Sequence, residues 1–422
     1  MRDQVDNDRV PTSLSADQPT RPPAIGESVE LTVESAVAGG LCLGRSDGRV
    51  VFVRGALPGE AVRARVVGHG KAGAFLRAEV TDVLTASPAR VTPPCPVAGE
   101  CGGCDWQHAD LPEQRAIKAA VIVDAMRRIG GIDRIGDVEL TDAVNVQPPD
   151  NGNGLDWRTR MRFATDDAGV LGLRAANSRR VIAASNCPIS SPGIRSAVAR
   201  VAQWPTDSEV VAAESSSGEV YVHGVTGPRI FLEAVKRRTW QIPATIFWQV
   251  HPAAATLLVD AVVELAVPTA GETVLDLYSG AGLFAAFLAE AVGDTGRVDA
   301  IEGNHAAVTA ARANLTDVPQ VHHHRSDVTA WLRHSKRRPV DLVVLDPPRA
   351  GAGREVVRAV VRRQPNRVVY VACDPVALAR DAKTFAGLEY SLNRLVSYDI
   401  FPMTKHVECV ALFERTDKQP HV

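Results

Sequence analysis

From about Pro252 the chain alternates apolar strands with helices, and that alternation restricts the fold more than any other feature. The helix AAATLLVDAVVELA leads into TVLDLYSGAG, and GRVDAIEGN, VHHHRSD, DLVVLDPPRAG and RVVYVACDP follow, each trailed by a helical stretch. Apolar strands separated by helices build a parallel sheet covered on both faces. Such a sheet binds ligands at the carboxyl ends of its strands. The residues just beyond each strand are therefore the first candidates for a site.

TVLDLYSGAGLF sets a glycine turn between strand and helix, where Gly280 and Gly282 let the backbone approach a ligand without a Cβ in the way. A GxG alone is weak. Glu302 ends the next strand, where a carboxylate can accept both hydroxyls of a ribose; Asp327 follows the third strand and Asp346 the fourth. Taken singly, each acid is equally well read as a helix cap or a solvated loop residue. In this order they resemble the cofactor pocket of class I (Rossmann-like) S-adenosylmethionine-dependent methyltransferases, and a multi-domain α/β chain is expected.

With 422 residues the chain is too long for one core. Residues 1–24 read as a disordered, proline-bearing leader. Residues 25–86 hold short valine-rich strands, and GGLCLGRSDGRVVFVRGALPGE followed by SPARVTPPC resembles the TRAM domain, an RNA-binding β-barrel of the OB type. Residues 87–250 form a central, mainly β domain carrying a thiol site, entered through the amphipathic helix LPEQRAIKAAVIVDAMRRIGGI. Residues 251–417 are the methyltransferase domain. No apolar run reaches the roughly 18–20 residues of a membrane span, and MRDQVDNDRV has no secretion signal. No membrane association, a cytoplasmic location and a monomer are expected. The net charge of −2 speaks neither for nor against nucleic acid.

CPVAGECGGCDWQH gathers Cys95, Cys101 and Cys104 as C-x5-C-x2-C, three of the chain's seven cysteines. Thiolates suit zinc or an iron–sulfur cluster, and either needs a fourth donor. Spacing leaves two open, His108 nearby and Cys187 in SNCPIS. The run His322-His323-His324 lacks metal spacing, because strand neighbours point to opposite faces.

Cys373 stands just beyond a strand in YVACDP, on the rim that carries Asp346, and Glu408 opens an apolar strand in FPMTKHVECVALFER. Together FWQVHP, DLYSGAGLF, DPPRAG, YVACDP and FPMTKHVE, with the thiol loop and the barrel, resemble the RNA uracil-C5 methyltransferases, which make 5-methyluridine. The resemblance implies Cys373 as the nucleophile at C6 of the uracil and Glu408 as the base that removes the C5 proton. It implies cofactor contacts from Gln249, Tyr278 and Glu302, and Asp346 between cofactor and base. It also implies that Cys187 completes a 4Fe-4S cluster with Cys95, Cys101 and Cys104. The partner it implies is RNA, 23S ribosomal RNA first and the transfer-RNA T-loop second. The chain departs from the family at Asp374, commonly Asn, at His251, often Asn, and at Leu283, frequently Asn. An ionised Asp374 would oppose thiolate formation at Cys373. Two other classes compete: a catalytically silent RNA-binding or folding factor, against which the Cys373/Glu408 pair argues, and a radical iron–sulfur enzyme, whose cysteines would read CxxxCxxC.

Overall fold

The computed structural model describes residues 21–416 apart from 177 and 337. Most of the expected leader, residues 1–20, lies outside the described residues, as does residue 417 at the end of the last expected domain. Among the described residues no helix is long and apolar enough to cross a membrane.

Five strands, β1 (Ser28–Val37), β2 (Leu41–Ser46), β3 (Arg49–Arg54), β4 (Ala61–His69) and β5 (Leu76–Thr85), close into a barrel in the order β1-β2-β3-β5-β4. Closure follows from the period-2 pattern: Val29, Leu31 and Val33 all point inward from β1. Trp106, just past the thiol loop, and Ile117 of helix α1 (Leu111–Ala125) join the barrel's core. Cys42 is fully buried in that core, and burial pushes its thiol up to about 12.

The central region holds a five-stranded antiparallel sheet built around Arg160–Thr165 and a separate hairpin, Ile230–Val235 with Arg238–Pro243. Cys187 packs in that sheet's core with Trp157, Phe163 and Ile189.

The C-terminal sheet has eight strands. Its central order is Val321–Arg325, Arg297–Glu302, Thr273–Leu277, Leu342–Leu345, Arg367–Ala372, parallel throughout. Glu408–Arg415 then enters antiparallel between Arg367–Ala372 and Tyr390–Tyr398. The helices Ala254–Ala266 and Leu283–Val292 cover one face, and Gly353–Val361 and Pro375–Ala386 the other. Strand order reverses between Thr273–Leu277 and Leu342–Leu345, the switch point at which such sheets bind ligands.

One boundary differs from expectation. Helix α1 and the short strand Val146–Gln147 fall within the expected central region 87–250, yet the strand packs on the C-terminal unit and α1 bridges that unit and the barrel. Val146–Gln147 adds the eighth strand beside Tyr390–Tyr398, and Ile122 and Ala125 join the core under Pro375–Ala386.

The bend between Tyr398 and Glu408 is tied down from distant parts of the chain. Met403 N donates to Gln114 Oε1 at 2.7 Å, and Met403 O accepts from Asp105 N and Trp106 N, each at 3.0 Å. Lys405 N donates to Asp105 Oδ2 at 3.0 Å. Beneath the bend Lys118 pairs with Asp399, both 1% exposed, and donates to Phe401 O at 3.1 Å. Burial pulls the Lys118 pKa down and pushes that of Asp399 up, each opposed by the other's charge. Lys118→Ala, which strands one buried carboxylate, is expected to destabilise the protein by about 3–5 kcal/mol in urea unfolding. Replacing both residues by Met and Leu should recover most of that loss; equal losses would mean the pair is not coupled.

Candidate active site

A cavity of about 1160 Å³ opens at the switch point and runs from the strand ends to the thiol loop. Gln249, Tyr278, Gly280, Glu302 and Asp346 line it, as do Cys373 and Glu408, and so do Cys95, Cys101, Cys104 and Cys187. Residues spread over more than three hundred positions thus share one space.

Each strand end places its side chain by local geometry. Tyr278 leaves the strand with φ +64°, a left-handed value that a non-glycine residue holds only at a cost. Its ring is half-buried, and burial, with Asp327 and Asp381 nearby, pushes the phenol up to about 12. Gly280 has φ +54° and nothing within 4 Å of where a Cβ would be, so its backbone faces open cavity. Glu302 anchors the glycine turn, accepting from Gly280 N at 3.0 Å and Asn304 N at 2.6 Å.

Gly282 and Asp327 do not line the cavity. Gly282 (φ +85°) starts the helix Leu283–Val292, and a Cβ there would meet Leu315 Cδ1 at 2.7 Å, so packing is what demands the glycine. Asp327 caps Val328–His334, accepting from Ala330 N at 2.9 Å, and reaches the site only through its charge on Tyr278.

Cys373, Asp346 and Glu408 hold one another's protons. Burial raises the Cys373 thiol to about 12, with Glu408 and then Asp346 adding to the rise and Arg349 opposing it. Burial also raises Asp346, and it raises Glu408 well above the carboxylate range, reinforced there by Asp346 and opposed by Arg349. Two buried carboxyls side by side cannot both ionise cheaply. Burial and mutual repulsion therefore favour the protonated forms of the nucleophile and base candidates.

The three departures from the family acquire local reasons. Asp374 caps the helix Pro375–Ala386, its Oδ1 accepting from Ala377 N at 2.8 Å, and it ranks behind Glu408 and Asp346 in raising Cys373. The same helix start points its partial positive end toward the thiol, which favours a thiolate. His251 is buried, stacked on Trp157 at 5.8 Å, and its Nδ1 accepts from Ala253 N at 3.2 Å. Leu283 is a core residue of its helix.

At the other part of the cavity the thiols converge. Cys104 is raised to about 12 by burial, with Cys187, Cys101 and Cys95 adding to the rise. Gly103 N donates to Cys101 Sγ at 3.4 Å. The Arg158 guanidinium lies beside Cys187, Cys104 and Cys101, a cation facing what would be thiolates. His108 is turned away, its Nε2 3.4 Å from Ala56 O, and does not line the cavity. Among the described residues no three His, Cys, Asp or Glu side chains close around a single-ion site. Cys95, Cys101, Cys104 and Cys187 line one end of the cavity, and Arg158 offers them a positive charge.

Three lining residues escaped the sequence reading. Phe247, 73% exposed, offers a free ring beside Gln249; Arg349 is the cation facing Cys373 and Glu408; His406 stands two residues before Glu408. All three lie inside quoted motifs, so adjacency to a motif residue was the available signal. The buried Asp276, whose pKa burial pushes up to about 8 against a backbone hydrogen bond from Ala285, had none.

The chain is similar to proteins of known class. The family described as tRNA (uracil-5-)-methyltransferase matches residues 334–416, the methyltransferase small domain matches 246–368, and the TRAM domain matches 24–81. A relative from Streptomyces avermitilis, described as an uncharacterized RNA methyltransferase, is 38% identical over 93% of this chain and 100% of its own. One from Bifidobacterium longum with the same description is 35% identical over 92% of this chain and 96% of its own. Among solved structures, the Pyrococcus abyssi tRNA (uracil-54, C5)-methyltransferase in complex with S-adenosyl-L-homocysteine superposes with a TM-score of 0.68 at 23% identity, covering 91% of this chain and 99% of its own.

Proposed function

The chain belongs to the RNA methyltransferases of the uracil-5 family, and from that premise we propose that it methylates C5 of a uridine through a covalent bond between Cys373 and C6 of the base. The observation that carries this reading is the meeting of Cys373, Asp346 and Glu408 in the cavity that also holds Tyr278, Gly280 and Glu302. C5 of uracil is too weak a carbon nucleophile to be alkylated unaided. A thiolate adding to C6 pushes electron density onto C5. S-adenosylmethionine, whose adenosine end suits Gln249, Tyr278, Gly280 and Glu302, supplies the methyl group on a cationic sulfur. Glu408 then removes the C5 proton and the Cys373 thiolate departs.

Gly282 and Asp327 support the pocket from behind, through the helix start and the helix cap respectively. The target base must leave its stack to reach Cys373, and the exposed Phe247 ring is a surface on which it can restack. The barrel offers a second contact: Phe52 and Phe75 meet edge-on at 5.1 Å on its outside, with Arg77 5.8 Å over the Phe75 ring.

Glu302→Ala removes up to two charge-assisted hydrogen bonds to the ribose. It is expected to weaken S-adenosylhomocysteine binding by about 10- to 100-fold in calorimetry. Unchanged affinity would remove Glu302 from the ribose.

Cys95, Cys101, Cys104 and Cys187 are the residues that would hold a 4Fe-4S cluster. Protein purified without oxygen should carry about four irons per chain, and Cys187→Ser should lose most of them. Iron-free protein with stoichiometric zinc would overturn the cluster.

The thiol loop together with the barrel supports 23S ribosomal RNA as the target. The transfer-RNA activity of the Pyrococcus abyssi enzyme favours a second reading, a transfer-RNA uridine. Mapping 5-methyluridine in both RNAs from cells with and without the protein separates the two. Loss from neither would overturn the assignment.

A further inference from the structure

His406 is the polar group of the site that the roles above leave unused. It lines the main cavity with Cys373 and Glu408, and it also borders a cleft of about 80 Å³ behind Cys373 and Asp374. Its position is fixed: its backbone N–H donates to Thr404 Oγ1 at 3.2 Å, and its ring meets Phe401 edge-on at 6.0 Å. Neither ring nitrogen has a hydrogen-bond partner among the described residues. The ring is half-buried in the cavity wall, and both nitrogens are open to an incoming group. Burial, with the Arg349, Lys405, Lys118 and Arg158 cations around it, pushes the ring's pKa down to about 3. At neutral pH it therefore carries one N–H donor and no charge.

The proposed chemistry needs such a donor. When the thiolate bonds to C6, the C5–C6 π pair moves between C5 and C4, and the C4 carbonyl becomes an oxyanion at O4. We propose that His406 donates its ring N–H to O4 of the target uracil and stabilises the enolate formed when Cys373 adds to C6. The inference rests on the covalent reading of the function. The proton stays on His406 throughout. Methylation at C5 uses the enolate pair and re-forms the C4 carbonyl; Glu408 then takes the C5 proton, the pair from that C–H bond becomes the C5=C6 bond, and the C6–S bond breaks to release the thiolate. A neutral imidazole suits this task because it polarises the oxygen without surrendering its proton to the enolate, as an imidazolium would. Arg349 is the competing donor, but it is exposed and makes no hydrogen bond that would fix its head.

The test measures the rate at which Cys373 is captured by RNA containing 5-fluorouridine. His406→Phe should slow capture by about 10²- to 10³-fold, while binding of S-adenosylhomocysteine and of RNA stays near wild type. His406→Gln, which keeps an N–H donor, should recover part of the rate. Capture by His406→Phe within about threefold of wild type would overturn the proposal. So would a parallel loss of both binding affinities, which marks a structural role. If Arg349→Gln slows capture and His406→Phe does not, the guanidinium is the donor and the proposal falls. Wild-type protein that forms no adduct removes the covalent reading and this proposal with it, whereas equal capture by wild type and His406→Phe removes this proposal alone.

Discussion

Cys373→Ala is expected to lower methyl transfer by about 10⁴-fold or more and to abolish covalent capture of 5-fluorouridine RNA. The residue is half-buried at the end of Arg367–Ala372 and touches no structural partner that alanine would orphan, so folding should survive. Cofactor binding should survive as well, because Gln249, Tyr278 and Glu302 are left in place. The pH dependence has a definite sign. In the proposed mechanism the active species is the thiolate; the thiol pKa is raised to about 12, and that of Glu408 is raised too. Wild-type turnover should therefore climb as pH rises from 6 to 9, with no falling limb from either group. An adduct that persists in Cys373→Ala would move the nucleophile elsewhere.

The second large effect is Glu408→Gln. Glu408 is buried and burial favours its protonated form, so an isosteric neutral amide changes stability by no more than about 1 kcal/mol. The chemical consequence is different in kind from that of the cysteine change. Addition and methylation proceed, but the C5 proton stays, so Cys373 cannot leave. Turnover should fall by about 10²- to 10⁴-fold, and ordinary uridine RNA should accumulate as a methylated covalent complex visible on a denaturing gel. Once ionised, Glu408 is the largest charge raising the Cys373 pKa, so its replacement should ease adduct formation at the high-pH end of the profile. Normal turnover without accumulation would show that another group takes the proton.

The α/β half was legible because its signals are local. Each strand ends in a residue whose chemistry stands out against an apolar run, and Tyr278, Glu302, Asp346 and Cys373 all arrive in one cavity. Asp327 belonged to the same series, yet its side chain is spent on a helix cap, which a strand-end position permits equally well. Asp374 looked like an electrostatic obstacle and is a cap that any short acceptor side chain could provide. The placement of α1 was not legible, because its apolar stripe says only that it needs a partner, not which one. His406 and Arg349 were hidden by their neighbours: each sits within three residues of an acid that took the attention.

The bend that carries Met403 has a consequence for how this molecule can be divided. Barrel, central sheet and α/β unit resemble parts that could be cut apart and used alone. Yet the bend leading into Glu408 is anchored by Asp105, Gln114 and Lys118, up to 300 positions away. A fragment beginning near Pro252 would keep its glycine turn and Glu302 but leave Asp399 buried with no cation and Met403 without its donors. It would be a cofactor binder without a placed base. The rim that carries Glu408 is thus complete only when the bend meets the segment from Asp105 to Lys118.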